Sequence, residues 1–131
     1  MTAPSDLHRL IMLACGQGAA RLFRNNTGLG WVGDVRRLDG GAVLIHGARP
    51  LHAGLCEGGA DLIGWRTIMV TPDMVGRTLA IFTAIEAKTG KARLSTGQAR
   101  FIEAVLRAGG IAGVARSVQD AQLLLGQGNQ K

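Results

Sequence analysis

The chain has 131 residues, long enough for one domain with its own core, and its hydrophobic content of 47% excludes a disordered segment. Fifteen Lys and Arg against nine Asp and Glu give a formal charge of +6, and every cation except Lys131 falls within the first 116 residues. An excess spread in this way suits a polyanion-binding surface, with nucleic acid the leading candidate; the plainer reading is a basic protein with no such partner.

No apolar run reaches the length of a membrane span, and the start lacks a secretory pattern, so a cytoplasmic protein is expected. Cys15 and Cys56 form no C-x-x-C and read as small buried or half-buried residues of a reducing compartment, not a disulfide or zinc framework. One domain over residues 1–125 and a frayed tail over 126–131 are expected.

In chain order, Leu7, Leu10, Ile11 and Ala14 recur at helical spacing and predict an amphipathic helix from about Ala3 toward Leu22. Ser5 is the expected N-cap and Asp6 lies in the first turn, where the helix dipole favours an anion. Gly16 and Gly18 predict an end or break near Cys15. Arg24-Asn25-Asn26-Thr27-Gly28 follows. It suits a turn and equally a contact with a phosphate backbone, and both readings stay open here.

Gly28-Leu29-Gly30-Trp31-Val32-Gly33 matches G-x-G-x-x-G. A dinucleotide site needs a helix directly after the glycines, whereas Asp34 to Gly41 reads as loop, so the match is discounted. Ala42 to His46 predicts a short strand, and Gly47 to Gly59 a loop beside a cleft. His46, His52, Cys56 and Glu57 in this region fit no familiar zinc spacing.

Residues 61–88 carry the densest chemistry. Two apolar runs, around Asp61 to Trp65 and from Leu79 to Lys88, flank Thr71-Pro72-Asp73-Met74-Val75-Gly76-Arg77, a reversal by composition. A hairpin with Asp61 opposite Glu86 has its midpoint between Asp73 and Met74, inside that reversal. Such a pairing would set the two carboxylates about 5 Å apart at Cβ. Glu86 and Lys88 are two apart on one strand and share a face. Two acids and a lysine on one face suit a divalent cation with a phosphate-facing charge beside it.

Ser95 and Gln98 match a capping box before a helix with Phe101, Ile102, Val105 and Leu106 on one face. Gln98 thus has two candidate roles, the cap and the orientation of a water or phosphate oxygen, which compete for one side chain. Gly109-Gly110 ends the helix, Ile111 to Arg116 predicts a last strand, and Ser117 caps a short helix through Leu125. The expected fold class is α/β, in the order α-β-β-β-α-β with a further short helix, around a central mixed sheet flanked by helices.

Gly59-Ala60-Asp61-Leu62-Ile63-Gly64, Glu86-Ala87-Lys88, and Leu94-Ser95-Thr96-Gly97-Gln98 with Phe101 and Gly109-Gly110 resemble, in that order, the VRR-NUC family of PD-(D/E)XK nucleases. Arg24 to Gly28 is similar to the stretch after the first helix in its phage-type members. The resemblance implies a restriction-endonuclease-like core and hydrolysis of phosphodiester bonds in DNA. It implies Mg²⁺ or Mn²⁺ on Asp61, Glu86 and the backbone carbonyl of Ala87, with Lys88 positioning the attacking water and Gln98 as the family's helix glutamine. Arg24, Asn25, Asn26, Lys91 and Arg93 are the expected DNA contacts.

Small stand-alone members imply a homodimer and a branched, Holliday-junction-like substrate. Ala60 stands where the family's proline would be. The literal Pro72-Asp73 is rejected, because pairing Asp73 with Glu86 would put the turn inside an apolar strand. The first helix has no glutamate, and Asp6 is the acid available for a third metal ligand. This lack motivates a second reading, a non-catalytic DNA-binding module on a degenerate nuclease fold.

Overall fold

The computed structural model describes residues 4–127. Its contacts divide the chain into two compact units, Met1–Gly64 and Trp65–Lys131.

The first unit opens with α1, Pro4–Cys15. The helix ends where Gly16 and Gly18 predicted it, but the buried stripe differs from the expected one. His8, Ile11 and Met12 are half-buried, whereas Leu7 and Leu10 are about half exposed. Apolar residues occupy more than one face of α1, so periodicity alone did not decide which face turns inward. The helix packs on β1, Ala20–Arg24.

β2, Gly28–Arg37, and β3, Val43–Ala53, form a long antiparallel ribbon. Both strands outrun expectation: the G-x-G-x-x-G stretch and the residues after it are strand, as is much of the predicted loop after His46. The register steps by one between Val32 and Asp34, leaving Gly47 and Ala48 opposite Gly33. Gly47 sits at φ 59°, the left-handed conformation of the first residue of a glycine bulge. The bulge lets the ladder continue through a glycine that reads as a loop signal. By this register Leu29, Trp31, Val35, Val43 and Pro50 share one face. Leu29, Trp31, Val35 and Val43 are each 55–60% exposed.

β4, Leu62–Arg66, crosses the boundary between the units and pairs with β1. Gly64 makes this pairing possible, since a Cβ there would lie 1.8 Å from the carbonyl oxygen of Arg21. The expected hairpin between the Asp61 and Glu86 strands is therefore corrected: β4 has β1 as its ladder partner, and β5 has β6. Residues 67–82 between them hold a 3-10 turn at Pro72–Met74, as the reversal predicted. The midpoint arithmetic assumed direct pairing, and among the described residues no ladder joins β4 to β5.

The second unit is a β-α-β arrangement. β5, Thr83–Ala87, and β6, Ile111–Ala115, are parallel, with Glu86 level with Val114. Parallel neighbours need a crossover, which α2, Thr96–Arg107, supplies. Its N-terminus carries the full capping box of Ser95 and Gln98. Its end follows the Schellman pattern, with Gly109 N–H donating to Leu106 O and Gly110 N–H to Val105 O.

Val105, Ala112 and Ala115 are buried, and Trp65 stacks at a tilt on Phe82, 5.0 Å between centroids. α3, Val118–Leu124, is capped by Ser117 and packs on β6. Gly126 and Gln127 close it, donating to Leu123 O and Gln122 O, so the first two residues of the expected tail belong to the helix cap. Residues 128–131 lie outside the described residues, and the side chain of Ser5, the expected N-cap, is likewise not described.

The chain is a mixed α/β protein with three helices and both parallel and antiparallel strands. Among the described residues its strands form three two-stranded ladders, and the expected single central sheet is not seen. No described helix is long and apolar enough to cross a membrane. Cys15 and Cys56 are exposed free thiols, not the buried residues expected.

Candidate active site

In the second unit, strand alternation places Ala84, Glu86 and Lys88 on the half-buried face of β5. Lys88 Nζ lies 3.3 Å from Glu86 Oε1, with the lysine side chain 17% exposed and the glutamate 32%. Gln98 Nε2 donates to the same Oε1 at 2.7 Å. Gln98 Oε1 meanwhile accepts the Ser95 N–H at 2.9 Å. One end of the amide meets the cap role, and the other end is bonded to Glu86, not to a water or phosphate oxygen. Glu86 and Gln98 border a cleft of about 340 Å³, lined also by Ala84, Gly97, Phe101 and Ile102.

Ala87 has its side chain on the opposite face. Phe82 O accepts from Ile111 N–H, and Lys88 N–H donates to Ala115 O. In a parallel ladder alternate residues send both peptide groups to one neighbour, so residues 82, 84, 86 and 88 bond to β6. The Ala87 carbonyl points away from β6 and is not spent on that ladder.

In the first unit, Asp61 stands just before β4 with its side chain 75% exposed. Its backbone oxygen accepts the Asn25 N–H at 2.9 Å. Asn25 is buried at 8%; its amide donates to Ala60 O at 3.0 Å and accepts from Leu55 N–H at 3.0 Å. The side chain expected to contact DNA is thus spent on backbone groups of its own unit. Asn25 instead fixes the chain on either side of Asp61.

Asp6 is exposed in the first turn of α1. The helix residue that meets Asp61 is His8, with Nε2 3.2 Å from Asp61 Oδ2. Arg24 Nη2 in turn lies 3.2 Å from His8 Nδ1. His8 was missed by sequence reasoning, which looked along the helix for an acid. Its position three and four residues before Ile11 and Met12 was the available signal.

Arg24, Asn26, Lys91 and Arg93 are exposed. The loop bearing Lys91 and Arg93 is braced by Arg116, which donates to Gly90 O and Ala92 O, each at 2.7 Å. Among the described residues no three or more His, Cys, Asp or Glu side chains gather as a metal cluster. Among the described residues the first unit holds the His8–Asp61 pair, and the second holds the Glu86–Lys88 and Glu103–Arg107 pairs.

The mixed α/β chain thus joins an acid, a lysine and a helix-capping glutamine in one hydrogen-bonded group. The VRR-NUC domain model matches residues 48–119, more than half of the chain, and spans Asp61, Glu86, Lys88 and Gln98. The protein belongs to the VRR-NUC family, whose domain is a nuclease-type module directed at DNA. Comparisons with curated proteins and with solved structures return no match.

Proposed function

We propose that the protein is a divalent-metal-dependent DNA endonuclease on a restriction-endonuclease-like core, with Asp61, Glu86, Lys88 and Gln98 as its working side chains. The observation that carries the reading is the convergence of Lys88 and Gln98 on one oxygen of Glu86. A lysine spends little of its charge on an exposed salt bridge, but here it is largely buried beside a carboxylate at a cleft.

The donor set suits a hard cation. Within the second unit Glu86 would supply a carboxylate oxygen and Ala87 a carbonyl oxygen that β6 does not use, the ligand type of Mg²⁺ and Mn²⁺. Asp61 is the further carboxylate that the family resemblance adds. When bound, the ion would polarise the phosphate and lower the pKa of its water. Lys88 positions the attacking water and offsets charge that grows on the phosphate oxygens. Gln98 holds the Glu86 carboxylate in place from the first turn of α2. Arg24, Asn26, Lys91 and Arg93 contact the DNA backbone, an attraction that salt weakens.

A second copy of the chain is the partner proposed for the β2–β3 ribbon. Its face of Leu29, Trp31, Val35 and Val43 is exposed and contiguous, the kind of surface that marks an association site. A two-fold pair would present two sites to opposed strands, as a branched DNA substrate requires.

The lack of a glutamate on α1 motivates a second reading, a DNA-binding module without cleavage. Mn²⁺ titration and cleavage assays separate the two: the enzyme binds the ion and cuts, and the module binds DNA with salt sensitivity and leaves it whole.

A further inference from the structure

We infer that His8 is the positioning residue for Asp61, holding the carboxylate through a ring N–H and standing outside the metal's own ligands. The inference rests on the proposed role of Asp61 as a metal ligand, and it concerns which ring nitrogen carries the proton.

Arg24 Nη2 lies 3.2 Å from His8 Nδ1, and His8 Nε2 lies 3.2 Å from Asp61 Oδ2. A guanidinium can only donate. Nδ1 therefore accepts from Arg24 and carries no proton. The ring proton is on Nε2 and points at Oδ2. A protonated Nε2 has no lone pair to give a cation, so in this arrangement the imidazole orients the carboxylate and does not ligate.

The carboxylate needs such a partner. The Asp61 side chain is 75% exposed, while His8 is only 19% exposed and anchored on α1. An exposed side chain loses rotamer freedom when it takes up a ligand, and a fixed hydrogen bond removes part of that loss beforehand. Carboxylates that hold metals are commonly held in turn by hydrogen bonds. Consecutive residues thus serve Asp61 by two routes: Asn25 fixes its backbone oxygen, and Arg24 fixes its carboxylate through His8. Asp6, exposed in the first turn, has no part in this chain of bonds.

The test uses Mn²⁺ alone, titrated by calorimetry into the full-length protein and its His8→Ala and His8→Gln variants, with circular dichroism confirming the fold of each. A glutamine amide keeps one donor for Asp61 and one acceptor for Arg24, as the Nε2–H ring does. The expected result is a loss of about 10–100-fold in Mn²⁺ affinity for His8→Ala and near-complete recovery for His8→Gln. Wild-type affinity in His8→Ala overturns the inference. A loss in His8→Gln equal to that in His8→Ala overturns it too, and points to direct ligation. If the wild-type protein binds no Mn²⁺, the metal reading of Asp61 fails by itself. Long-range ¹H–¹⁵N NMR of the His8 ring in metal-free protein then decides the hydrogen-bond chain. The Nε2–H tautomer supports it, and the Nδ1–H tautomer overturns it.

Discussion

Gln98 joins the N-terminus of α2 to Glu86: its Nε2 donates to Glu86 Oε1 at 2.7 Å while its Oε1 accepts the Ser95 N–H at 2.9 Å. The helix cap and the candidate site are therefore built from one side chain. Removing Ser95 and removing Gln98 should have different consequences. Ser95→Ala loses the hydroxyl that accepts the Gln98 N–H and should lower stability by about 0.5–2 kcal/mol, with cleavage largely kept. Gln98→Ala loses the reciprocal cap bond and the hold on Glu86, so both stability and cleavage rate should fall. Urea denaturation alongside single-turnover cleavage checks the pair; equal loss of cleavage in both variants would reduce Gln98 to a cap.

Lys88 is held at a largely buried position by Glu86. Lys88→Met keeps most of the unbranched apolar stem of the side chain and removes the charge. It should leave the fold intact, by circular dichroism and thermal melting, and lower the single-turnover cleavage rate by orders of magnitude at saturating metal. A rate within a few-fold of wild type would remove Lys88 from the working side chains.

Asn25 carries two backbone groups that have no other partner in its hydrogen-bond set, Ala60 O and Leu55 N–H. Asn25→Ala should cost about 1–3 kcal/mol in all, toward the lower end because Leu55 and Ala60 are exposed and water can reach the freed groups. It should also weaken Mn²⁺ binding, because the Ala60–Asp61 peptide loses its bond to the Asn25 amide although the Asn25 N–H still holds Asp61 O. Denaturant unfolding and metal titration read the two effects separately.

Gly64 allows the close approach of β4 to β1. A methyl group there would meet the Arg21 carbonyl oxygen at 1.8 Å, a contact that only backbone movement relieves. Gly64→Ala should destabilise the protein by about 3 kcal/mol or more, at or beyond the upper end of ordinary overpacking. Midpoints of urea unfolding test this, and a shift below the error of the measurement would show that β1 and β4 are not paired as described.

Much of this arrangement was legible in the sequence. Ser95 with Gln98, Gly109-Gly110 and Ser117 are local signals, each set by hydrogen bonds within a few residues, and each lies where expected. Glu86 and Lys88 share a face because strand alternation is a local rule. Pairing partners are not local. Asp61 and Glu86 could be set opposite each other on paper because nothing in an apolar run says which neighbour it takes, and the described ladders pair β4 with β1 and β5 with β6. Gly47 read as loop because a glycine bulge and a turn share one signal. Asn25 read as surface because polar residues usually are, and only burial reveals that its amide is spent on backbone. His8 was hidden by a helix whose apolar residues fill more than one face.

The β2–β3 ribbon gives the partner prediction. Trp31 is 55% exposed at the centre of its apolar face, with Leu29 and Val35 on either side. Trp31→Glu should convert a dimer to a monomer in light scattering coupled to size-exclusion chromatography, and should leave circular dichroism unchanged. A wild-type protein that runs as a monomer at micromolar concentration contradicts the two-copy arrangement.

The most direct measurement is cleavage of a four-way DNA junction, beside a linear duplex of the same sequence, by wild-type protein and Glu86→Gln in Mg²⁺ and in Mn²⁺. The account predicts that the wild type cuts only when the ion is present, favours the junction, and loses cutting with Glu86→Gln while DNA binding persists. Intact DNA under every divalent ion with wild-type protein, or undiminished cutting by Glu86→Gln, would contradict it.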